Sequence, residues 1–196
     1  MLQDAPQVCV VDDDPAVLRS LERLLKAAGF AVCTFPSPTE FLARVAPDVP
    51  GCLLLDLSMP ELSGLDLQGA LERMGCRQPV IFISGRGDVR SSVSAMKAGA
   101  LDFLTKPFDE MELLSAVQRA LLRDREMRQA RERVALLTPR ERQVLDQVIE
   151  GRLNKQIAAA LGISEKTVKV HRSRVMEKTA ARSTAELVRL ADSLSR

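Results

Sequence analysis

The side chains best suited to chemistry in this sequence are Asp12, Asp13, Asp56, Ser84 and Lys106, and each follows a short apolar run. Asp12 and Asp13 close Val8-Cys9-Val10-Val11, and Asp56 closes Cys52-Leu53-Leu54-Leu55. Ser84 follows Val80-Ile81-Phe82-Ile83, and Lys106 follows Leu101-Asp102-Phe103-Leu104-Thr105. Three carboxylates brought together repel one another, and a hard divalent cation such as Mg²⁺ relieves that repulsion. A cation-binding carboxylate cluster beside a lysine and a hydroxyl is equipped to handle phosphate, so the expected chemistry is phosphoryl transfer.

These residues can meet only if the runs are neighbouring strands of one sheet. Runs so short and apolar, alternating with helical patterns, read as buried parallel strands. Strands are expected at 7–11, 31–35, 52–55, 79–83 and 101–104. Val17, Leu18, Leu21, Leu24 and Leu25 form the stripe of a first helix, with Pro15 at its start and Gly29 beyond its end. Residues 38–45, 64–74 and 88–98 supply three more helices, and a fifth begins near Asp109. Five β/α units with right-handed crossovers predict a doubly wound sheet of strand order 2-1-3-4-5. Ligands bind outside the carboxyl ends of such strands, where all five residues fall.

The chain has 196 residues, 46% hydrophobic and 28% charged, which suits one or two folded domains and excludes a disordered chain. No apolar run reaches the roughly 18 residues of a membrane span, and the start lacks the pattern of a secretory signal. The four cysteines have no CxxC spacing, so reduced thiols in a cytoplasmic protein are expected rather than disulfides or a zinc site. Charge is uneven. Up to Ala120 there are 11 Lys+Arg against 16 Asp+Glu, a net −5; from Leu121 there are 17 against 10, a net +7. An acidic first part and a basic second suggest two domains, the second facing a polyanion.

The fifth helix carries Leu113, Leu114, Val117, Leu121 and Leu122, then runs into the polar tract 123–133, read as an exposed helical linker. Thr138-Pro139-Arg140-Glu141 restarts structure as a capping box. Four short helices follow, the second capped by Asn154, the third by Ser164 and the last starting at Ser183 or Thr184. Residues 156–168 have the form of a helix-turn-helix, with Gly162 at the turn.

Assembled, these motifs resemble the two-component response regulators of the FixJ/NarL type. The receiver likeness lies in Asp12-Asp13, Asp56 within Leu55-Asp56-Leu57-Ser58-Met59-Pro60, Gly64, Ser84-Gly85 and Lys106-Pro107-Phe108. The LuxR-type helix-turn-helix likeness runs from Leu137-Thr138-Pro139-Arg140-Glu141 through Thr167-Val168-Lys169-Val170-His171. The resemblance implies an α/β plus all-α architecture: a flavodoxin-like (βα)5 receiver at 1–122, a helical linker at 123–135 and a four-helix DNA-binding domain at 136–196. It implies Asp56 as phosphoacceptor from a sensor histidine kinase, with Mg²⁺ (or Mn²⁺) held by Asp12, Asp13, Asp56 and the Ser58 backbone carbonyl. Lys106 would pair with phosphoryl oxygens, Ser84 and Phe103 would switch, and the Lys106-Pro107 bond would be cis. The phosphorylated protein is expected to form a homodimer, bind promoter DNA and activate transcription, with RNA polymerase a further partner; no enzymatic turnover is expected.

For the DNA, Lys169 and Val170 are expected at base edges, and Lys166, Thr167, Arg172 and Arg174 at phosphates. Lys166, Lys169, Val170, Ser173 and Arg174 share one broad face by helical spacing, while Val168 and Val175 face the core. Several residues depart from the family pattern: Arg86 stands where histidine is frequent, Arg90 where proline is, Thr179 for a leucine and Ala181 for a larger apolar residue. Asp14 is read as a helix-start residue. His171 is read as a satisfied helix residue. Two rival readings differ in kind. A haloacid-dehalogenase-type phosphohydrolase would use Asp12-Asp13-Asp14 as its Asp-x-Asp, but Pro15 and a compact helix follow instead of threonine and a cap insertion. A constitutive DNA binder with a vestigial receiver would not need Asp56, Ser84 and Lys106 together.

Overall fold

The computed structural model describes residues 6–47, 49–85 and 89–195. The chain divides into two compact units, residues 1–125 and 126–196.

In the first unit, β1 (Gln7–Val11), β2 (Ala31–Phe35), β3 (Gly51–Asp56), β4 (Val80–Ser84) and β5 (Asp102–Thr105) form one parallel sheet of order β2-β1-β3-β4-β5. The expected order is therefore the observed one. Alternate residues of each strand go to opposite faces. Val8, Val10, Cys52, Leu54, Ile81 and Ile83 pack with Leu18, Leu21 and Leu25 of α1 (Pro15–Ala27) and with Leu113 and Val117 of α5 (Glu110–Ala135). Cys9, Val11, Leu53, Leu55 and Phe82 pack on the other face. There they meet Phe41 of α2 (Pro38–Arg44), Leu67 and Leu71 of α3 (Gly64–Arg73) and Ala95 of α4 (Val89–Lys97). Burying one such leucine or isoleucine contributes about 1.5–3 kcal/mol, which is why runs apolar at every position settle in the middle of the sheet.

Helix starts are set locally. Asp14 caps α1, its carboxylate accepting from the Ala16 N–H at 2.7 Å, so its reading as a helix-start residue holds. Ser37 caps α2 and Ser63 caps α3. Buried Gln68 of α3 donates to the Ala98 carbonyl, tying α3 to the end of α4.

The polar tract is less exposed than its composition suggests. Asp124 is 3% exposed, and its carboxylate accepts from the Gly51 N–H at 2.9 Å. Gly51 sits at φ +147°, where an added Cβ would lie 1.9 Å from the Gln7 carbonyl oxygen. Only glycine fits there, and its buried N–H needs an acceptor. Ala130 is buried too.

The second unit holds the end of α5, then α6 (Pro139–Ile149), α7 (Asn154–Leu161), α8 (Glu165–Thr179) and α9 (Thr184–Ser195). Its core comprises Val144, Val148, Ile157, Val168, Val175 and Leu187, among others. The capping box at α6 is present: Glu141 N–H donates to Thr138 Oγ1 and Thr138 N–H to Glu141 Oε2. Asn154 departs from expectation. Leu153 occupies the N-cap position of α7 and Asn154 is its first helical residue, so its side chain is engaged elsewhere. Gly162, at φ +65°, closes α7 in the left-handed conformation its turn requires. Thr179, in place of a leucine, is 2% exposed, and its hydroxyl donates to the Val175 carbonyl at 2.7 Å.

Candidate functional site

Register explains how distant residues meet. Val11 is level with Leu55 across β1 and β3, so Asp12 and Asp56 emerge at the same height on adjacent strands. Ser84 is level with Thr105 across β4 and β5, which places Lys106 one step further, its N–H donating to the Ser84 carbonyl at 2.8 Å. Asp12, Asp13, Asp14, Asp56, Ser58, Gly85 and Lys106 line an open crevice of about 540 Å³.

Lys106 Nζ lies between two carboxylates, 2.7 Å from Asp12 Oδ2 and 2.8 Å from Asp56 Oδ1. The second Asp56 oxygen accepts from the Ser58 N–H at 2.7 Å, and Asp12 Oδ1 from the Asp14 N–H at 2.9 Å. Asp12 and Asp56 are buried, while Asp13 and Ser58 are exposed at the mouth. Burial pushes the Asp12 carboxyl upward against the lowering effect of Lys106. Burial also opposes the charge on Lys106, but hydrogen bonds and attraction from Asp12 and Asp56 outweigh it and raise its pKa. The lysine therefore stays protonated, a fixed cation between two carboxylates. Among the described residues no three acidic, histidine or cysteine groups are gathered tightly enough to hold a metal unaided. The donor set still fits a hard cation in kind: every group facing the crevice beside the lysine offers oxygen.

Ser84 is buried at the end of β4, and Phe103 is half-buried against the face carrying Phe82. The Lys106-Pro107 bond is cis, as the resemblance implied. Asp88 and the side chains of Arg86 and Arg90 lie outside the described residues. Among the described residues the four cysteines are free thiols, and burial raises Cys52 to about 12.

On the second unit, α8 presents Lys166, Lys169, Val170, Ser173 and Arg174 to solvent, while Val168 and Val175 are buried as expected. Ser164 caps the helix through the Thr167 N–H at 3.1 Å, and the Thr167 hydroxyl is 2.8 Å from the Ser164 hydroxyl. Arg172, expected at a phosphate, is held by groups of its own domain. It is half-buried, and its guanidinium donates to Asn154 and Thr184 within the domain. His171 Nδ1 is buried with no hydrogen-bond partner, so its reading as a satisfied helix residue fails at that nitrogen. Lys178, near the end of α8, donates to Glu141 Oε2 at 2.7 Å and to the Leu136 carbonyl at 3.1 Å. The Lys178 ammonium, with the Thr138 N–H behind it, holds the Glu141 carboxyl down at about 2. That pairing spans 37 residues and leaves no local trace in the sequence.

Known proteins bear on both units. The family described as "Response regulator receiver domain" matches residues 8–118, and "Bacterial regulatory proteins, luxR family" matches residues 135–191. Nodulation protein W of Bradyrhizobium diazoefficiens is 47% identical over 194 residues, covering 95% of this chain and 86% of that protein. The chain belongs to the two-component response regulators. Among solved structures, response regulator StyR shares 47% identity at TM-score 0.63, covering 96% of this chain and 98% of that one. Full-length FixJ from B. japonicum shares 38% at TM-score 0.58, covering 97% of each. As a response regulator with a luxR-type domain, the protein belongs to a family of transcription regulators, and its two domains imply a histidine kinase and promoter DNA as partners. No described helix is long and apolar enough to cross a membrane.

Proposed function

We propose that Asp56 accepts a phosphoryl group from a phosphohistidine of a sensor kinase, and that the phosphorylated protein dimerises, binds promoter DNA and activates transcription in the cytoplasm. The observation that carries this reading is Lys106 Nζ held between Asp12 and Asp56 at the mouth of an open crevice. An Asp56 oxygen attacks phosphorus, the phosphorus–nitrogen bond to the kinase histidine breaks, and an acyl phosphate forms as the imidazole leaves. Lys106 offers its charge to the incoming phosphoryl oxygens, and the Ser58 N–H steadies the carboxylate. Asp12, Asp13, Asp56 and the Ser58 carbonyl would hold Mg²⁺ or Mn²⁺, which supplies charge neutralisation at the phosphoryl oxygens. Ser84 and Phe103 act as the switch beside the site, with the cis Pro107 shaping the turn after Lys106.

The dimer surface is α4 with β5, where Val93 and Met96 stand exposed. The receiver is assigned to 1–122, the linker to 123–135 and the DNA-binding domain to 136–196, with RNA polymerase a further partner on the promoter. The deciding experiment treats the protein with acetyl phosphate and Mg²⁺ and reads intact mass. One phosphoryl group is expected on the parent and none on Asp56→Asn; equal labelling of the variant refutes the assignment. Ser84→Ala and Lys106→Ala should still be phosphorylated in part yet lose the dimerisation it triggers. A phosphorylated parent that sediments as a monomer with unchanged DNA affinity refutes the switch.

A further inference from the structure

Arg172 lies four residues after buried Val168 and three before buried Val175 on α8, and its charged head group turns toward the neighbouring helices. Nη1 donates to Asn154 Oδ1 at the start of α7 at 3.0 Å, and Nη2 to Thr184 Oγ1 at the start of α9 at 3.3 Å. The side chain also lines a small cavity with Val144 and Val148 of α6, Val175 and Met176 of α8 and Leu187 of α9. One residue of α8 thus bonds to the starts of α7 and α9 and lines a cavity that α6 also lines. Asn154 is suited to the contact because the α7 N-cap position belongs to Leu153, which leaves the Asn154 carboxamide oxygen to accept from the guanidinium. Arginine suits it as well: a planar fork offers two donors in fixed directions, where lysine offers one point charge.

We propose that Arg172 is a positioning residue for DNA reading. It fixes the rotation of α8 against α7 and α9, so that Lys169 and Val170 are presented to the base edges, and it does not bind phosphate. This rests on the proposal that α8 reads DNA. Base readout depends on donors placed within fractions of an ångström, whereas phosphate contacts set register without reading sequence. The two roles separate by salt: a phosphate contact contributes about 1 to the salt slope of binding, and a positioning residue contributes nothing.

The experiment uses the full chain, a duplex enriched by the parent from a random-sequence pool, and an unselected duplex of equal length, both titrated with salt. Arg172→Met keeps a flexible apolar stem and removes the fork. It should weaken the enriched duplex about tenfold while leaving the unselected duplex and the salt slope unchanged. Arg172→Lys should behave like Arg172→Met. Asn154→Ala with Thr184→Val should reproduce the loss in the parent and add little in the Arg172→Met background. Equal losses on both duplexes with a slope lower by about 1, or binding restored by lysine, would place Arg172 on a phosphate and overturn the proposal. Unchanged affinity on both duplexes would overturn it too. If Arg172→Met fails to fold, the Asn154→Ala, Thr184→Val pair decides: loss confined to the enriched duplex supports positioning, and no loss refutes it. If Lys169→Ala and Arg174→Ala leave both duplexes bound as before, the role of α8 in reading DNA fails, and the assignment of Arg172 falls with it.

Discussion

Replacing Gly64 by alanine should slow phosphorylation of Asp56 by about a hundredfold, the order of loss that follows a misplacement near 1 Å in a reacting group. The displacement can be worked from the backbone. A Cβ on Gly64 would lie 2.4 Å from the Asp56 carbonyl oxygen, 2.9 Å from Phe82 Cε1 and 3.2 Å from the Leu57 Cα, where ordinary contact begins at 3.4 Å. The Asp56 peptide must therefore retreat by about 1 Å or the helix must. The helix is poorly placed to yield, because the Gly64 N–H donates to the Leu57 carbonyl at 3.1 Å and Ser63 caps the first turn. A retreat of the Asp56 peptide also moves the carboxylate out of register with its 2.8 Å partner, Lys106. Overpacking of this kind costs about 1–3 kcal/mol, which a denaturation curve will show. Gly69→Ala is the control: its Cβ would meet only Arg73 Nη1, at 3.5 Å, so the rate should hold and α3 should gain about 0.5–1 kcal/mol. The assay is the phosphorylated fraction against time by intact mass, with acetyl phosphate and Mg²⁺. A folded Gly64→Ala protein phosphorylated at the parent rate refutes the argument.

Asp124→Ala removes the acceptor of the buried Gly51 N–H and should destabilise the first unit by about 1–3 kcal/mol, seen as a lower denaturation midpoint at unchanged m-value. The Glu141 carboxyl is depressed from its ordinary 4.5 to about 2, so the stability it gives is complete above pH 4.5 and disappears as pH falls through about 2. Amide protection in the first turn of α6, taken relative to the intrinsic exchange rate at each pH, should fall across that window in the parent and not in Glu141→Gln; identical profiles would refute the linkage. Lys169→Ala should lose affinity mainly on a selected duplex, and Arg174→Ala on selected and random duplexes alike with a salt slope lower by about 1. The reverse pattern would exchange their roles.

Strand β1 was legible to the residue because its apolar run stops at a charged pair, Asp12-Asp13. Strand β3 begins one residue earlier than its apolar run, at Gly51, because the ladder to Gln7 depends on backbone rather than side chains. The crevice was legible because parallel strands deliver their ends to one edge. Asp124 was not, since a carboxylate in a polar tract looks solvated. The available signal was its spacing: it falls 4 and 7 residues after the buried Ala120 and Val117, on the face α5 turns to the sheet. Arg172 escaped for a different reason. Its partners lie 18 and 12 residues away, although its own spacing, four after Val168 and three before Val175, already placed it on the face α8 turns to the core.

The clamping of α8 also bears on how such a regulator can change its targets. Ser164 holds its first turn, Arg172 its middle and Lys178 its end, all through groups inside the domain. Among the described residues, exposed Lys166, Lys169, Val170, Ser173 and Arg174 take no part in that holding. On the proposed reading of DNA by α8, recognition and folding would be written on separate letters of one helix. Duplicated copies of the gene can drift to new promoters by substituting the outer letters, and a designer can graft a foreign reading face here without re-engineering the scaffold beneath.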